Sequence, residues 1–240
     1  TDAVALTDME ELDQWIMMKL HNLLEKVNKG YEDCEFHVVY HAVHNFCNVD
    51  LSAIYMDIVK DRLYCETADS KTRRSCQTVL YEICVALAQV MTPILSFTTE
   101  EVWKYLPKAD KELSVQLSGW PQVDTSALNT ALEEKWDKLL AIRSEVTKKL
   151  EEKRASKEIG KALDAQVILY AEGETLELLQ QMQSELATIF IVSQVTVKAM
   201  SEAPADAYVS EDVKGLDVVI APAAGVACER CWIHYEELDE

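Results

Sequence analysis

FHVVYHAVHNFCNVDLSAIYMDIVKDRLYCETADSKTRRSCQTVLYEICVALAQVMTPILSFTTEEVW, running from Phe36 to Trp103, decides the fold class. Apolar residues recur in it at three- and four-residue spacing through successive runs, and Pro93 is its only proline. That periodicity is the mark of amphipathic helices, and several in a row must cover one another's apolar faces. The stretch therefore predicts a helical bundle.

Working outward, Thr7-Asp8-Met9-Glu10 has capping-box spacing and predicts a helix start. Leu12, Trp15, Ile16, Leu20, Leu23, Leu24 and Val27 follow as one apolar stripe, and Gly30 offers a left-handed stop. A second helix is expected over Glu35 to Val49 and a third over Leu51 to Leu63. Ser70 or Asp69 can cap the next, Pro93 ends or bends it, and Thr98 or Thr99 can cap a short helix stopped by Pro107. Leu113, Val115 and Leu117 alternate, which reads as a short extended segment. A long helix is predicted from about Ser126 to Lys157.

After Gly160 the period changes. Ala165 to Tyr170 reads as a strand, Glu174 to Met182 as a short helix, Phe190 to Val192 and Val195 to Val197 as strand material, and Leu216 to Ile220 as another strand. The fold class is thus mainly α, with a helical bundle over residues 1–158, a small α/β domain over 159–221 and a tail over 222–240.

Of the 240 residues, 42 are acidic and 23 basic, a net charge of −19, which argues against gripping nucleic acid by bulk electrostatics. The charge is uneven, however. Lys60 to Arg74 holds five basic and three acidic residues, and Arg143 to Lys161 seven and four, while Glu202 to Glu240 holds two and ten. Local basic faces on a body that repels polyanions elsewhere are compatible with this pattern. No apolar run reaches the ~20 residues of a membrane helix, and the first residues show no signal-like core. A soluble, cytoplasmic protein is expected, since seven cysteines, an odd number, fit a reducing compartment.

The words YHAVHNFCNVDLSAIYMDIVKDRLY (40–64), ADSKTRRSCQTVLYEI (68–83), MTPILSFTTEEVW (91–103) and CERCW (228–232) together resemble the C-terminal part of bacterial isoleucyl-tRNA synthetases. The resemblance runs from about Leu12 to Trp232. It implies a class I synthetase anticodon-binding bundle and a partner, the anticodon stem and loop of isoleucine tRNA, with no DNA or membrane partner and a monomeric state. Lys60, Arg62, Lys71, Arg73 and Arg74 become candidates for phosphate contacts by counterion release. Cations at a helix start oppose the macrodipole, so Lys71, Arg73 and Arg74 fit a role other than stability, although an ordinary solvated helix end reads as well. Arg154 and Lys157 match a basic word of the family, against the plainer reading of a solvated helix face.

Cys228-Glu229-Arg230-Cys231 has the spacing of half a zinc knuckle, because two thiolates can reach one Zn²⁺ and a tetrahedron needs two more ligands. In the family a second Cys-x2-Cys pair lies further on; here no cysteine follows, and His234 is a possible third ligand at unusual spacing. A redox dithiol and an inert pair are the alternatives, and a tail lacking ligands is expected to be disordered. Arg230 and Trp232 would suit phosphate contact or base stacking, or Trp232 would merely cover the metal. His37, His41 and His44 share a helix face with Asn48 and form a weaker metal candidate, against a plain polar face. No class I signature and no phosphate loop occurs, so ATP, Mg²⁺ and isoleucine activation belong, by resemblance, to other domains of a parent ligase. The rival from another class is a helical scaffold for protein interaction.

Overall fold

The computed structural model describes residues 2–107 and 111–236. By its internal packing the chain divides into two compact units, residues 1–130 and 131–240.

In the first unit a 3-10 turn over Leu6–Asp8 precedes α1 (Glu11–Glu32). The turn occupies Thr7, so the predicted capping box does not form; Glu10 precedes the helix without a side-chain cap. The predicted stripe is the core: Trp15, Ile16 and Val27 are fully buried, with Leu12, Leu20, Leu23 and Leu24 beside them. Gly30 lies inside α1 instead of ending it. A Cβ there would stand 2.9 Å from Val39 Cγ2, so its bare backbone lets the next helix close in, and Cys34, with φ 58°, makes the left-handed turn.

The next helix, α2 (Phe36–Asn45), passes without a break into a π-helix over Phe46–Tyr55, then α3 (Met56–Ile58) and α4 (Lys60–Tyr64). The expected division near residue 50 is therefore absent. A widened i→i+5 turn carries the chain through it. Ser70 caps α5 (Lys71–Met91), its Oγ accepting from the Arg73 N–H at 3.4 Å. Val79, Ile83 and Val90 line the buried side of α5.

Thr92 and Pro93 lie in the turn between α5 and α6 (Ser96–Tyr105), which starts ahead of the two threonines proposed as caps; Thr99 is buried inside it. Residues 115–117 form a 3-10 turn, not an extended segment. Val115 alone turns inward, onto Ala88, Trp103 and Leu106, while Leu113 and Leu117 stay exposed.

The second unit holds α7 (Thr130–Ala155) and a mixed sheet. Its strands are β1 (Ala165–Ala171), β2 (Gln194–Ala199), β3 (Tyr208–Val209) and β4 (Leu216–Pro222), in the order β2-β1-β4-β3. β1 runs parallel to β2 and antiparallel to β4, with Val167 opposite Val195 and Ile220. The parallel pair demands a crossover, supplied by α8 (Gly173–Gln181) and α9 (Leu186–Phe190). Phe190 ends a helix and does not begin a strand: Ile191, at φ 57°, reverses the chain, and Val192 is buried beyond it.

The tail forms a small hairpin, β5 (Val226–Ala227) with β6 (His234–Tyr235). Packing thus groups α7 with the sheet in the second unit, and the change of period after Gly160 follows the end of that helix.

Candidate nucleic-acid interface

The first basic cluster is built on α4 and the start of α5. Lys60 is exposed and sits 2.6 Å from Asp57. Lys71 is exposed on the first turn of α5. Arg74 meets Asp2 at 3.3 Å and Arg73 donates through Nη1 to the Glu66 carbonyl at 2.9 Å. The Glu66 carboxylate accepts from the hydroxyls of Ser70 and Thr72. That loop-to-helix joint is tied by these bonds, which fixes the backbone from which Lys71 and Arg74 project. Ion pairs this exposed are weak and exchangeable, so the cations are available to a phosphate.

Arg62 departs from the expectation. It is 8% exposed and its Nη1 lies 3.7 Å from Asp13 Oδ2. An arginine held this way serves the interior and makes no phosphate contact. Asp13 itself is fully buried and ties four elements together: Tyr55 donates to it at 2.8 Å, Ser75 at 2.5 Å, and the Cys76 thiol lies at 3.8 Å. Burial raises the Asp13 carboxyl above its usual value, with the hydroxyls of Ser75 and Tyr55 and the Arg62 charge opposing. The one sequence signal was a charged residue between Leu12 and Trp15 on the apolar phase of α1.

The second cluster lies on the sheet unit. Arg154 is exposed, 2.5 Å from Glu151, and Lys157 is exposed at φ 62° just past the end of α7. Trp232 is 56% exposed, with Lys161 Nζ 4.7 Å from its ring centre, and Arg230 is exposed on the same hairpin. The hairpin is docked, not loose. The His234 N–H donates to Ser193 Oγ at 2.8 Å, Ser193 donates to the Leu163 carbonyl at 2.5 Å, and the His234 imidazole faces Asp164 at 3.5 Å. These contacts order the tail through residue 236 by packing on residues 161–164, where the sequence alone predicts disorder.

Cys228 and Cys231 flank the hairpin turn. Backbone N–H groups of Cys231 and Arg230 lower the Cys228 thiol below its usual value, which favours the thiolate that a metal takes. Among the described residues, however, no group of three or more His, Cys, Asp or Glu side chains is placed to hold a metal ion. His234 turns to Asp164, so the residues present do not complete a zinc site. The His37, His41, His44 face gathers no metal cluster either; His44 pairs with Asn48.

A further anchor went unread in the sequence. Glu145 is 2% exposed, and one of its oxygens accepts from Tyr208 at 3.0 Å, Ser210 at 2.8 Å and the Glu211 N–H at 3.2 Å. Lys149 lies 3.8 Å over the Tyr208 ring. This fastens β3 and the loop after it to α7, ahead of the basic end of that helix.

Each unit of this acidic chain carries exposed basic residues, Lys60 and Lys71 on the first and Arg154 and Lys157 on the second. A family model described as the anticodon-binding domain of tRNA ligase matches residues 13–169. The chain belongs to that anticodon-binding family. The match covers the Lys60–Arg74 cluster, Arg154 and Lys157, and stops short of the cysteine hairpin.

Among relatives, the chain is 48% identical to an isoleucine–tRNA ligase of Moorella thermoacetica over 241 residues, which is all of this chain and 26% of the relative. It is 49% identical to that of Desulforamulus reducens, over 99% of this chain and 26% of the relative. To that of Syntrophomonas wolfei it is 48% identical, over 97% and 25%. The chain thus spans about a quarter of the length of these relatives. No described helix of this anticodon-binding chain is long and apolar enough to cross a membrane.

Proposed function

We propose that the chain recognises the anticodon stem and loop of isoleucine tRNA as the C-terminal part of a monomeric, cytoplasmic isoleucine–tRNA ligase. Attachment of isoleucine, with ATP and Mg²⁺, then resides in parts of the ligase outside this sequence. The observation that carries the reading is the family match over 13–169, which encloses a basic joint held at the surface of an acidic body.

Lys60, Lys71, Arg73 and Arg74 hold the phosphate backbone through charge, and Arg154 and Lys157 form a second contact. Arg62 acts from inside, by anchoring α4 to Asp13. Arg230 and Trp232 extend the second surface, Trp232 by stacking. Cys228 and Cys231 contribute two thiolates toward a Zn²⁺ ion whose other ligands lie outside the described residues, and the hairpin holds them at its turn. Residues 1–158 are assigned the anticodon-binding role, with α7 packed on the sheet unit, 159–221 form the small α/β domain and 222–240 the knuckle.

The test is binding of this chain to isoleucine tRNA and to the same tRNA with an altered anticodon, across a salt series. Tighter binding to the unaltered anticodon, weakening steeply with salt, is expected. Equal binding to both would overturn anticodon recognition by this chain, and no binding at low salt would favour a helical scaffold.

A further inference from the structure

The sequence 36–56 holds a single acidic residue, Asp50, and that one is half-buried, in a chain with 42 acidic residues among 240. Along this stretch the exposed positions recur every fourth residue or so: Phe36 and His37, Tyr40 and His41, His44 and Asn45, Asn48 and Val49, Ser52 and Ala53, then Met56. The passage from α2 into the π-helix keeps them in one line. An ordinary α-helix of that length would swing its exposed positions around the axis, and the wider i→i+5 turn offsets that drift. The result is a ridge without an exposed carboxylate of its own from Phe36 to Met56, bounded by Glu35 before it and by the Asp57–Lys60 pair beyond it.

Its first half is made of rings and amides. Tyr40 is 56% exposed; its ring centre lies 5.1 Å from that of His41, edge-on, and 5.6 Å from that of His44. The Asn48 amide nitrogen sits against the His44 ring, 2.9 Å from Nε2 and 3.3 Å from Nδ1, which holds the imidazole beside the phenol. Flat rings at this spacing, with amide donors and acceptors next to them and no exposed carboxylate between Phe36 and Met56, match the chemistry of unpaired nucleobases.

We infer that the α2 ridge, centred on Tyr40, His44 and Asn48, receives unpaired bases of an RNA loop, with Lys60 at its far end taking the flanking phosphate. This rests on the RNA-binding reading above and adds to the stacking role of Trp232 a second base-contacting surface, on residues outside the two basic clusters. Stacking explains how an acidic chain gains affinity without added positive charge. It adds no released counterions, so it changes affinity without changing the salt slope.

The experiment measures fluorescence anisotropy with two RNA hairpins of identical stem, one carrying the anticodon loop of isoleucine tRNA and one closed by a tight tetraloop. Tyr40→Ala is expected to weaken the first by about tenfold, the scale of one lost stacking contact. Tyr40→Phe should stay within about twofold of the unsubstituted chain, because it keeps the ring. Neither should alter binding of the tetraloop hairpin or the salt slope, whereas Lys71→Ala should lower both affinities and the slope. Circular dichroism checks that the exposed substitutions leave the helices intact.

Full anticodon-loop binding by both Tyr40→Ala and His44→Ala, with Lys71→Ala still weakened, overturns the ridge and leaves the RNA-binding reading standing. Failure of the unsubstituted chain to bind either hairpin overturns both. A ridge that covers a second copy or another protein would show as the first of these outcomes.

Discussion

The Tyr55 hydroxyl donates to Asp13 Oδ1 at 2.8 Å, joining the end of the π-helix to the start of α1, and both residues are fully buried. The pair sits in a network with Ser75 and Arg62, so α1, the π-helix, α4 and α5 share one polar centre. Removing Asp13 leaves two buried hydroxyls and a guanidinium without their shared acceptor. Asp13→Ala is expected to destabilise the first unit by about 3–5 kcal/mol, and Tyr55→Phe by about 1 kcal/mol. Urea unfolding of the two variants checks the ratio; equal, small effects would mean that the network is not coupled.

The same carboxyl sets a pH dependence with an uncommon sign. Burial raises the folded Asp13 value above the ordinary 3.8, so the folded state holds the proton more tightly than the unfolded one. Its contribution is fully present below the unfolded value and is lost as pH rises through the raised folded one. Asp13→Asn removes this term. The stability of the unsubstituted chain relative to Asp13→Asn should therefore fall as pH is raised from about 4, levelling off above the folded value.

Glu145 does the reverse. Burial pushes its carboxyl up, but the Ser210 and Tyr208 hydroxyls, the Glu211 N–H and Lys148 outweigh that and hold it below the usual 4.5. Its contribution is present above the unfolded value and lost as pH falls through the folded one. Glu145→Gln should weaken the second unit at neutral pH and flatten its loss of stability in acid. Tyr208→Phe, which removes one of the donors, should show a smaller effect in the same direction, read by thermal unfolding at pH 3 and 7.

Buried and exposed thiols should report on opening of the first unit. Cys76 is fully buried, and burial together with the Asp13 charge pushes its thiol up to about 11, whereas Cys34 is exposed. Iodoacetamide at neutral pH is expected to modify Cys34 within minutes and Cys76 only at the rate of unfolding. Comparable rates for the two would show that the helices around Asp13 open locally.

Gly225 carries the hairpin. At φ 85°, a Cβ would fall 2.0 Å from the Tyr235 carbonyl oxygen, which is backbone and cannot yield. Gly225→Ala should detach β5 from β6 and release Trp232 from Lys161, seen as a change in tryptophan emission and faster amide exchange over 226–235, with exchange in β1 and β4 unchanged.

The apolar period of residues 36–103 was enough to call for a bundle, because a 3.6-residue repeat of large apolar groups has to be covered, whatever covers it. The stripe of α1, the Ser70 cap, and strands β1 and β4 were legible for the same reason: each is a local pattern with a local energetic cause. Basic residues were legible as charge, but not as surface. Arg62 and Arg74 look alike in sequence, and only the arrival of Asp13, forty-nine positions before Arg62, turns Arg62 inward while Arg74 meets the exposed Asp2.

Tertiary structure alone decided several further features. α7 belongs with the sheet because Glu145 finds its donors on Tyr208, Ser210 and Glu211, partners more than sixty residues away. The tail is ordered because Ser193 and Asp164 receive His234. The exposed positions from Phe36 to Met56 recur without interruption because the helix widens where a break was expected. Periodicity records which side of an element must be buried; it holds no record of what distant group meets a polar side chain there, and that meeting sets which charges remain free for a partner.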